Sequence, residues 1–331
     1  MARTTLLAFL ICLCASQGYG QFSSQRSQLA WQNDGGEPHF SGDYACFRLD
    51  DTLTYTELYF QIPFANLRFV RCQGGYQAEY EIELYVEDDS GALAYCKDAR
   101  DKIKVASYDE TVAAQNARAI MFTAYLRPGV HRLRAIATDR ETGRSAEARA
   151  ELQVRDFRQD TLQISDLQFS SNIEVNASAT DFVKNHRRVE PNVTRTYGKT
   201  TPCLFVYYEI YNLAFDCGPD SFHTTITIQR DDGRIITQLK RYVRKPGASC
   251  VQSLCLPIAD FPRAEVFTRS SDGRCGAYRL KIEITDAKTG QRAESSSERS
   301  AFTIYRQDFA SAERRFELLD PMSYGGFRPN R

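Results

Sequence analysis

The chain has 331 residues, in which 42 basic and 42 acidic residues balance and hydrophobic residues make up 42%. A chain of this length exceeds what one hydrophobic core usually organises, so two domains are expected, and the apolar content excludes a disordered protein. The balanced charge argues against general nucleic-acid binding, which depends on neutralising many phosphates. After the first twenty residues, no stretch approaches the roughly 20 apolar residues of a transmembrane helix.

The first residues have the pattern of a secretory signal peptide. Arg3 precedes an apolar run, and the small residues Gly18 and Gly20 follow where signal peptidase prefers them. We therefore expect cleavage after residues 1–20 and a mature chain outside the cytoplasm, in the periplasm or at the cell surface. Residues 21–43 are polar and glycine-rich without a period, which indicates a flexible N-terminal arm.

From Tyr44 onward, short β-prone stretches alternate with turn signals. Thr54 to Ile62 and Tyr76 to Val86 are rich in aromatic and β-branched residues, and Ala92 to Cys96 and Ile103 to Ser107 predict two further strands. Strands this short and this frequent are typical of an all-β sandwich or barrel.

One predicted β-hairpin occurs twice in the sequence. HRLRAIATDRETGRSAE, residues 131–147, returns as YRLKIEITDAKTGQRAE, residues 278–294. Alternation buries one face of each copy, while an aspartate accepts hydrogen bonds from turn amides and a glycine takes the left-handed conformation of a bulged loop. These turn residues are Asp139 and Gly143 in the first copy and Asp286 and Gly290 in the second. The repeat predicts two tandem immunoglobulin-like β-sandwich domains, at residues 44–156 and 160–306.

A polar segment interrupts the second half between two strands. The segment from Asn176 to Thr201 is long for a loop, and such loops often carry function. Its arginines Arg187, Arg188 and Arg195 are candidates for contact with an acidic partner.

The C-terminal segment, residues 307–331, is expected to form a short amphipathic helix followed by a loose tail. Asp308 is a suitable N-cap, and Phe309 and Phe316 fall near helical spacing. This helix either packs on its own domain or anchors another protein.

Eight of the ten cysteines lie outside the signal peptide, and disulfides are the first expectation for an exported protein. Cys250 with Cys255 is the best local pair, and Cys203 with Cys217 is a second candidate. The halves hold three and five cysteines, so either each domain keeps a free thiol or a bridge joins the domains.

The absence of C-x-x-C and of grouped histidines argues against structural zinc, and the acidic turns offer too few oxygen ligands for calcium. No metal or cofactor is expected.

Catalytic signatures are missing from the sequence. It has no G-x-S-x-G, S-x-x-K, P-loop or G-x-G-x-x-G after a strand, although distant residues can still assemble a triad.

Binding has better candidates in the aromatic stretch Tyr207 to Tyr211. If one face of this strand is exposed, Tyr208 or Tyr211 would stack on a glycan or anchor a protein. The alternative is a strand buried on both sides, within a sandwich or at the domain junction.

The order of these segments resembles a known family. Tyr55 to Phe69, PGVHRLRAIATDRETG at 128–143, and DLQFSSNIE at 166–174 leading to VEPNVTRTYG and LFVYYEIYNL are similar to the secreted bacterial GWxTD domain-containing proteins. The resemblance covers roughly residues 44 to 320 and implies an extracytoplasmic bacterial protein with tandem β-sandwich domains and no established activity. The Gly-Trp-x-Thr-Asp motif itself does not occur, since the only tryptophan is Trp31, and no role of that region is carried over.

Three functions follow in order of preference. The first is a non-enzymatic envelope protein that acts through another envelope or secreted protein as a structural or assembly component. The second is a carbohydrate-binding or adhesive module. A hydrolase ranks third, because no acid, base or nucleophile can be grouped from the sequence.

Overall fold

The computed structural model describes residues 31–33, 35–177, 181–198, 201–216, 220–230, 232–261 and 275–305. The described chain is nearly all β-strand and forms two successive sandwiches, which confirms the predicted fold class. The single α-helix of the described part, α1, is Tyr108–Val112. No helix among these residues is long and apolar enough to cross a membrane.

The first sandwich contains nine strands. They are β1 Trp31–Gln32, β2 Ser41–Arg48, β3 Thr54–Pro63, β4 Val70–Cys72, β5 Gly75–Glu87, β6 Leu93–Val105, β7 Ala117–Leu126, β8 Gly129–Asp139 and β9 Ser145–Val154. One antiparallel sheet has the order β1-β2-β3-β7, and the other has the order β6-β5-β8-β9, with β4 also beside β5. The sequence predicted two strands where β6 is one continuous strand, because β6 pairs along its whole length with β5.

The second sandwich contains twelve shorter strands. They are β10 Gln163–Ile164, β11 Gln168–Val175, β12 Val183–Lys184, β13 Arg187–Pro191, β14 Thr196–Tyr197, β15 Cys203–Tyr211, β16 Ser221–Arg230, β17 Ile235–Arg244, β18 Cys250–Pro257, β19 Cys275–Asp286, β20 Arg292–Glu294 and β21 Ala301–Tyr305. One sheet has the order β18-β15-β11-β13-β12, with β10 also beside β15. The other has the order β17-β16-β19-β21-β14, with β20 also beside β19.

The duplication seen in the sequence extends to strand pairing. The row β2-β3-β7 of the first domain corresponds to β11-β15-β18 of the second, and β6-β5-β8 corresponds to β17-β16-β19. This pairing pattern is compatible with tandem immunoglobulin-like sandwiches. The second domain differs by the insertion of β12, β13 and β14.

Each sandwich encloses its own core, because alternate residues of facing strands point inward. Leu58 and Phe60 of β3 pack with Ile82 of β5 in the first core, and all three are fully buried. Val206 of β15 and Ile226 of β16 occupy the second core in the same way.

The repeated hairpin closes both domains as predicted. Gly143 and Gly290 have φ of +69° and +72°, and each donates its amide to the carbonyl of the preceding aspartate at 2.8 Å. In the first copy Asp139 Oδ1 accepts the amides of Glu141 and Thr142 at 2.9 and 3.0 Å. In the second, Asp286 Oδ1 accepts the corresponding amides of Lys288 and Thr289.

The second oxygen of each aspartate has a further role that the sequence did not indicate. Asp139 Oδ2 accepts the amide of Arg68 at 2.6 Å, and Asp286 Oδ2 accepts the amide of Ala214 at 2.8 Å. Arg68 follows β3 and Ala214 follows β15, so in both domains the aspartate ties the closing hairpin to the loop after the strand of the opposite sheet.

Two predicted segment assignments are wrong within the described residues. Trp31 pairs with Gly42 on β2 and Phe40 is buried in the first core, so part of the expected N-terminal arm of residues 21–43 belongs to the first domain. The segment 176–201 is not an open loop, because β12, β13 and β14 add to the sheets of the second domain. The C-terminal segment 307–331 lies outside the described residues.

Candidate functional site: the domain interface

The two sandwiches meet through the outer faces of β3 and β15, and these contacts define the domain interface. Its apolar centre combines side chains of both domains that are at most 4% exposed. The first domain contributes Ala45, Phe47 and Tyr59, and the second contributes Ile173, Val189, Val193 and Tyr207. Strand β15 is therefore covered on both faces, which is the buried alternative of the sequence analysis.

A first cluster of buried charge joins the domains at Asp43 of β2. Its Oδ1 and Oδ2 accept a bidentate pair of hydrogen bonds from Arg195, both at 2.7 Å, and Oδ1 also accepts Arg299 Nη2 at 2.5 Å. Burial raises the cost of ionising Asp43, but the two guanidinium groups outweigh it and hold the pKa of Asp43 below its ordinary value. The carboxylate is therefore charged and paired at neutral pH.

Arg195 is positioned by its backbone as well as by its partner. It has φ +51°, a left-handed conformation that is uncommon for a residue with a side chain. Its amide donates to the carbonyl of Asn192 and its carbonyl accepts from Thr303, both at 2.9 Å, while its guanidinium lies 4.7 Å from the ring centroid of Phe169. The inserted segment thus turns sharply to direct one arginine between the domains.

A second cluster of buried charge centres on Lys184 of β12. Its Nζ donates to Glu57 Oε2 at 2.5 Å and lies 3.7 Å from the ring centroid of Phe47 and 4.6 Å from that of Tyr207. Burial lowers the pKa of Lys184, and the charges of Glu57 and Glu209 oppose this effect.

Glu209 completes the second cluster from β15. Its carboxylate accepts the hydroxyls of Tyr207 and Tyr211 at 2.6 and 2.7 Å and the Nδ2 of Asn185 at 3.0 Å. Burial raises the pKa of Glu209, although these hydrogen bonds and Lys184 favour its ionised form. Tyr211 in turn accepts the amide of Arg48 at 3.0 Å, which extends the network back into the first domain.

The structure does not place the predicted interaction residues on a common surface. Tyr208 lies in the second core and Tyr211 is fully buried at the interface, so neither is available to a glycan. Arg195 is also fully buried, and its guanidinium group is paired with Asp43. Arg187 and Arg188 are half-buried, and Arg188 pairs with Glu190 at 2.5 Å. Phe309 and Phe316 lie outside the described residues.

The predicted Cys250–Cys255 disulfide is wrong. Both residues lie on β18, where five extended residues separate their Cα atoms by about 16 Å at 3.3 Å per residue, far beyond the reach of a disulfide. Cys250 is a buried free thiol, and burial raises its pKa to about 12. Cys217 lies outside the described residues, and no two cysteines inside them are bridged.

The part of the chain that the structure describes forms no metal site. No group of three or more metal-ligating side chains occurs there. In the acidic turn at Asp88, the carboxylate is used for hydrogen bonds within the turn. Asp88 Oδ1 accepts the Ser90 hydroxyl and the amides of Ser90 and Ala92. Glutamates 57 and 209 belong to one charge cluster, but both are less than 5% exposed and engaged by lysine and tyrosine partners.

Sequence reasoning singled out Arg195 and the tyrosines of β15, but it missed Asp43, Glu57, Lys184 and Arg299. Glu57 in TYTELYF and Glu209 in FVYYEIY carried a usable signal, since one acid within an aromatic β-strand is rarely buried without a partner. Nothing local indicated which basic residue would meet each acid, because Lys184 is 127 residues from Glu57.

Comparison with known proteins adds little to this geometry. No protein-family model and no curated protein sequence matches the chain. A calcium-binding mutant of Bacteroides uniformis β-glucuronidase 2 matches at 9% identity and TM-score 0.23, over 73% of this chain and 26% of that one. Dimeric latent PorU from Porphyromonas gingivalis matches at 10% identity and TM-score 0.25, over 84% and 20%. A DUF4785 family protein from Legionella pneumophila matches at 6% identity and TM-score 0.22, over 79% and 55%. The chain therefore spans about a quarter, a fifth and about half of these proteins, and TM-scores this low support no inference about function.

Proposed function

We propose that the protein is a non-enzymatic, secreted envelope component that presents two β-sandwiches in a fixed arrangement to a protein partner. One observation carries this proposal: two pairs of buried, oppositely charged side chains join the domains. Asp43, Arg195, Lys184 and Glu57 are each at most 5% exposed and paired across the interface. Charge used in this way fixes the arrangement of the two domains relative to each other.

The glycan-binding function loses the residues that favoured it. A glycan platform built on Tyr208 and Tyr211 would require the second core and the domain interface to open. A hydrolase built on Glu57 and Glu209 would require both carboxylates to leave their lysine and tyrosine partners. The interaction role requires neither change.

The proposal is tested by purifying the full chain from native envelopes under mild detergent, with chemical crosslinking before lysis. We expect one envelope or secreted protein to co-elute in constant ratio through size-exclusion chromatography. An Asp43→Asn variant, which weakens the domain interface, should recover less of that protein. Recovery of the chain alone, with and without crosslinking, would contradict the proposal.

A further inference from the structure

Strand β17 forms one edge of the second domain. Among the described residues it pairs only with β16, from Ser221 opposite Arg244 to Gln229 opposite Ile235. No other strand of the described chain pairs with its second side, and such edges commonly accept an extended segment of a partner protein.

The corresponding edge of the first domain, β6, carries charges of both signs, and several of them are paired. Arg100 pairs with Glu81 at 3.0 Å, and Asp101 pairs with Arg118 at 2.7 Å. Lys102 also lies 3.7 Å from Glu79. Mixed and paired charges of this kind are a common defence of edge strands against unwanted pairing.

Strand β17 differs from β6 because all of its charged residues are basic. It carries Lys240, Arg241 and Arg244 and no acidic residue, and within the described chain none of these three forms an ion pair. Because the two domains share one strand arrangement, β6 shows what this edge looks like when it carries acidic as well as basic residues. The positive charge of β17 is left for a partner.

The side chains of β17 divide by face. Lys240, Tyr242 and Arg244 point outward and are exposed; Tyr242 is 77% exposed, with its ring centroid 4.3 Å from that of His223. Leu239 and Val243 point to the opposite face and pack against the second core, but they are only half-buried. Their cross-strand neighbours on β16, Ile226 and Phe222, are at most 1% exposed. The core is thus incompletely covered at this edge.

We propose that β17 accepts an extended segment of a partner protein in which acidic and apolar residues alternate. The acidic residues would stand opposite Lys240 and Arg244, where opposite charges on adjacent strands are favourable, and the apolar residues would cover Leu239 and Val243. Tyr242 supplies an aromatic anchor between the two basic residues. A second copy of this chain is disfavoured, because pairing β17 with itself would set like charges against each other.

This inference rests on the proposed function, and a peptide assay tests it separately. The probe is a fluorescein-labelled ten-residue peptide in which glutamate alternates with valine and threonine, and the matched probe has lysine in place of glutamate. Fluorescence anisotropy with the full chain should show at least tenfold tighter binding of the acidic peptide. Hydrogen exchange should show new protection of backbone amides within residues 235–244.

Variants locate the binding. Lys240→Glu combined with Arg244→Glu should reverse the preference, so that the lysine peptide binds at least tenfold more tightly than the glutamate peptide. Tyr242→Ala should weaken the acidic peptide about tenfold. The control, Lys97→Glu combined with Lys104→Glu on exposed positions of β6, changes charge by the same amount and should leave the preference unchanged.

Equal binding of the two peptides, absence of binding, or protection that appears outside residues 235–244 would overturn the inference. If the acidic peptide fails to bind and the charge-reversed variant aggregates, the basic residues serve only to keep the edge soluble. A partner that still co-purifies with the charge-reversed variant would leave the proposed function standing and refute the role of β17.

Discussion

At the scale of single residues, Asp43 is the acceptor on which one half of the domain interface depends. It is 5% exposed and receives three guanidinium hydrogen bonds from Arg195 and Arg299. Removing one partner of a buried ion pair costs more than the pair contributes, because the remaining charge stays buried without compensation. Arg195, which is fully buried, is the residue that would be left in this way.

We expect Asp43→Asn to lower the free energy of unfolding by about 3 to 5 kcal/mol, as found for broken buried ion pairs. The matched control is Glu147→Gln, which removes a carboxylate from a surface pair with Arg134 and Arg149 and should change little. Urea denaturation followed by circular dichroism measures both. An unchanged midpoint for the Asp43 variant would contradict the assigned role.

The same residue predicts a dependence on pH. The pKa of Asp43 in the folded chain lies below its ordinary value of 3.8, because the arginines outweigh the cost of burial. A carboxylate with a lowered pKa stabilises the fold fully above pH 3.8, and the contribution disappears as the pH falls through the lowered pKa. Acid titration should therefore destabilise the native chain more steeply below pH 4 than the Asp43→Asn variant. Parallel profiles would exclude this contribution.

Lys184 and Glu57 should be strongly coupled. Their charged atoms are 2.5 Å apart and both side chains are at most 5% exposed. Lys184→Met and Glu57→Gln should each destabilise the fold by about 3 kcal/mol or more, whereas the double variant should recover part of this loss because neither member of the pair is left charged without the other. A double-mutant cycle by chemical denaturation measures the coupling. Strict additivity of the two changes would show that the pair does not act as a unit.

At the scale of elements, the N-terminal strand β1 depends on a glycine across from it. Trp31 packs on Phe60 with ring centroids 5.2 Å apart, and it lies so close to Gly42 that an added Cβ would come within 2.0 Å of its ring. No residue with a side chain fits opposite Trp31 without displacing it. Strand β1 therefore docks through shape complementarity at one position.

Gly42→Ala should displace β1 and move Trp31 into water. Because Trp31 is the only tryptophan, its fluorescence reports this directly, and we expect a red-shifted emission maximum and a destabilisation of about 1 to 3 kcal/mol. Gly35→Ala is the control, since an added Cβ there meets nothing within 4 Å. An emission spectrum unchanged from that of the native chain would refute the close packing.

At the scale of the whole molecule, we expect the interface to make the two domains unfold as one unit. It combines an apolar centre with two charge clusters contributed by both domains. We expect a single calorimetric transition for the native chain, since each domain would expose buried charge on unfolding alone. Arg195→Ala combined with Lys184→Ala should separate it into two transitions. Two transitions in the native chain would indicate that the domains are energetically independent.

The sequence by itself determined the all-β class, the duplication and the chemistry of the closing turns. These features are local: strand alternation, the aspartate amide contacts and the left-handed glycines operate within about fifteen residues, so Asp139, Gly143, Asp286 and Gly290 could be assigned without a fold. The tertiary structure alone decided which charges meet. Asp43 and Arg195 are 152 residues apart, and the inserted segment 176–201 carries no period that reveals its place between the domains. The exposure of Tyr208 and Tyr211 was left open for the same reason, because alternation separates the two faces of a strand but does not show whether the second face meets water or another domain.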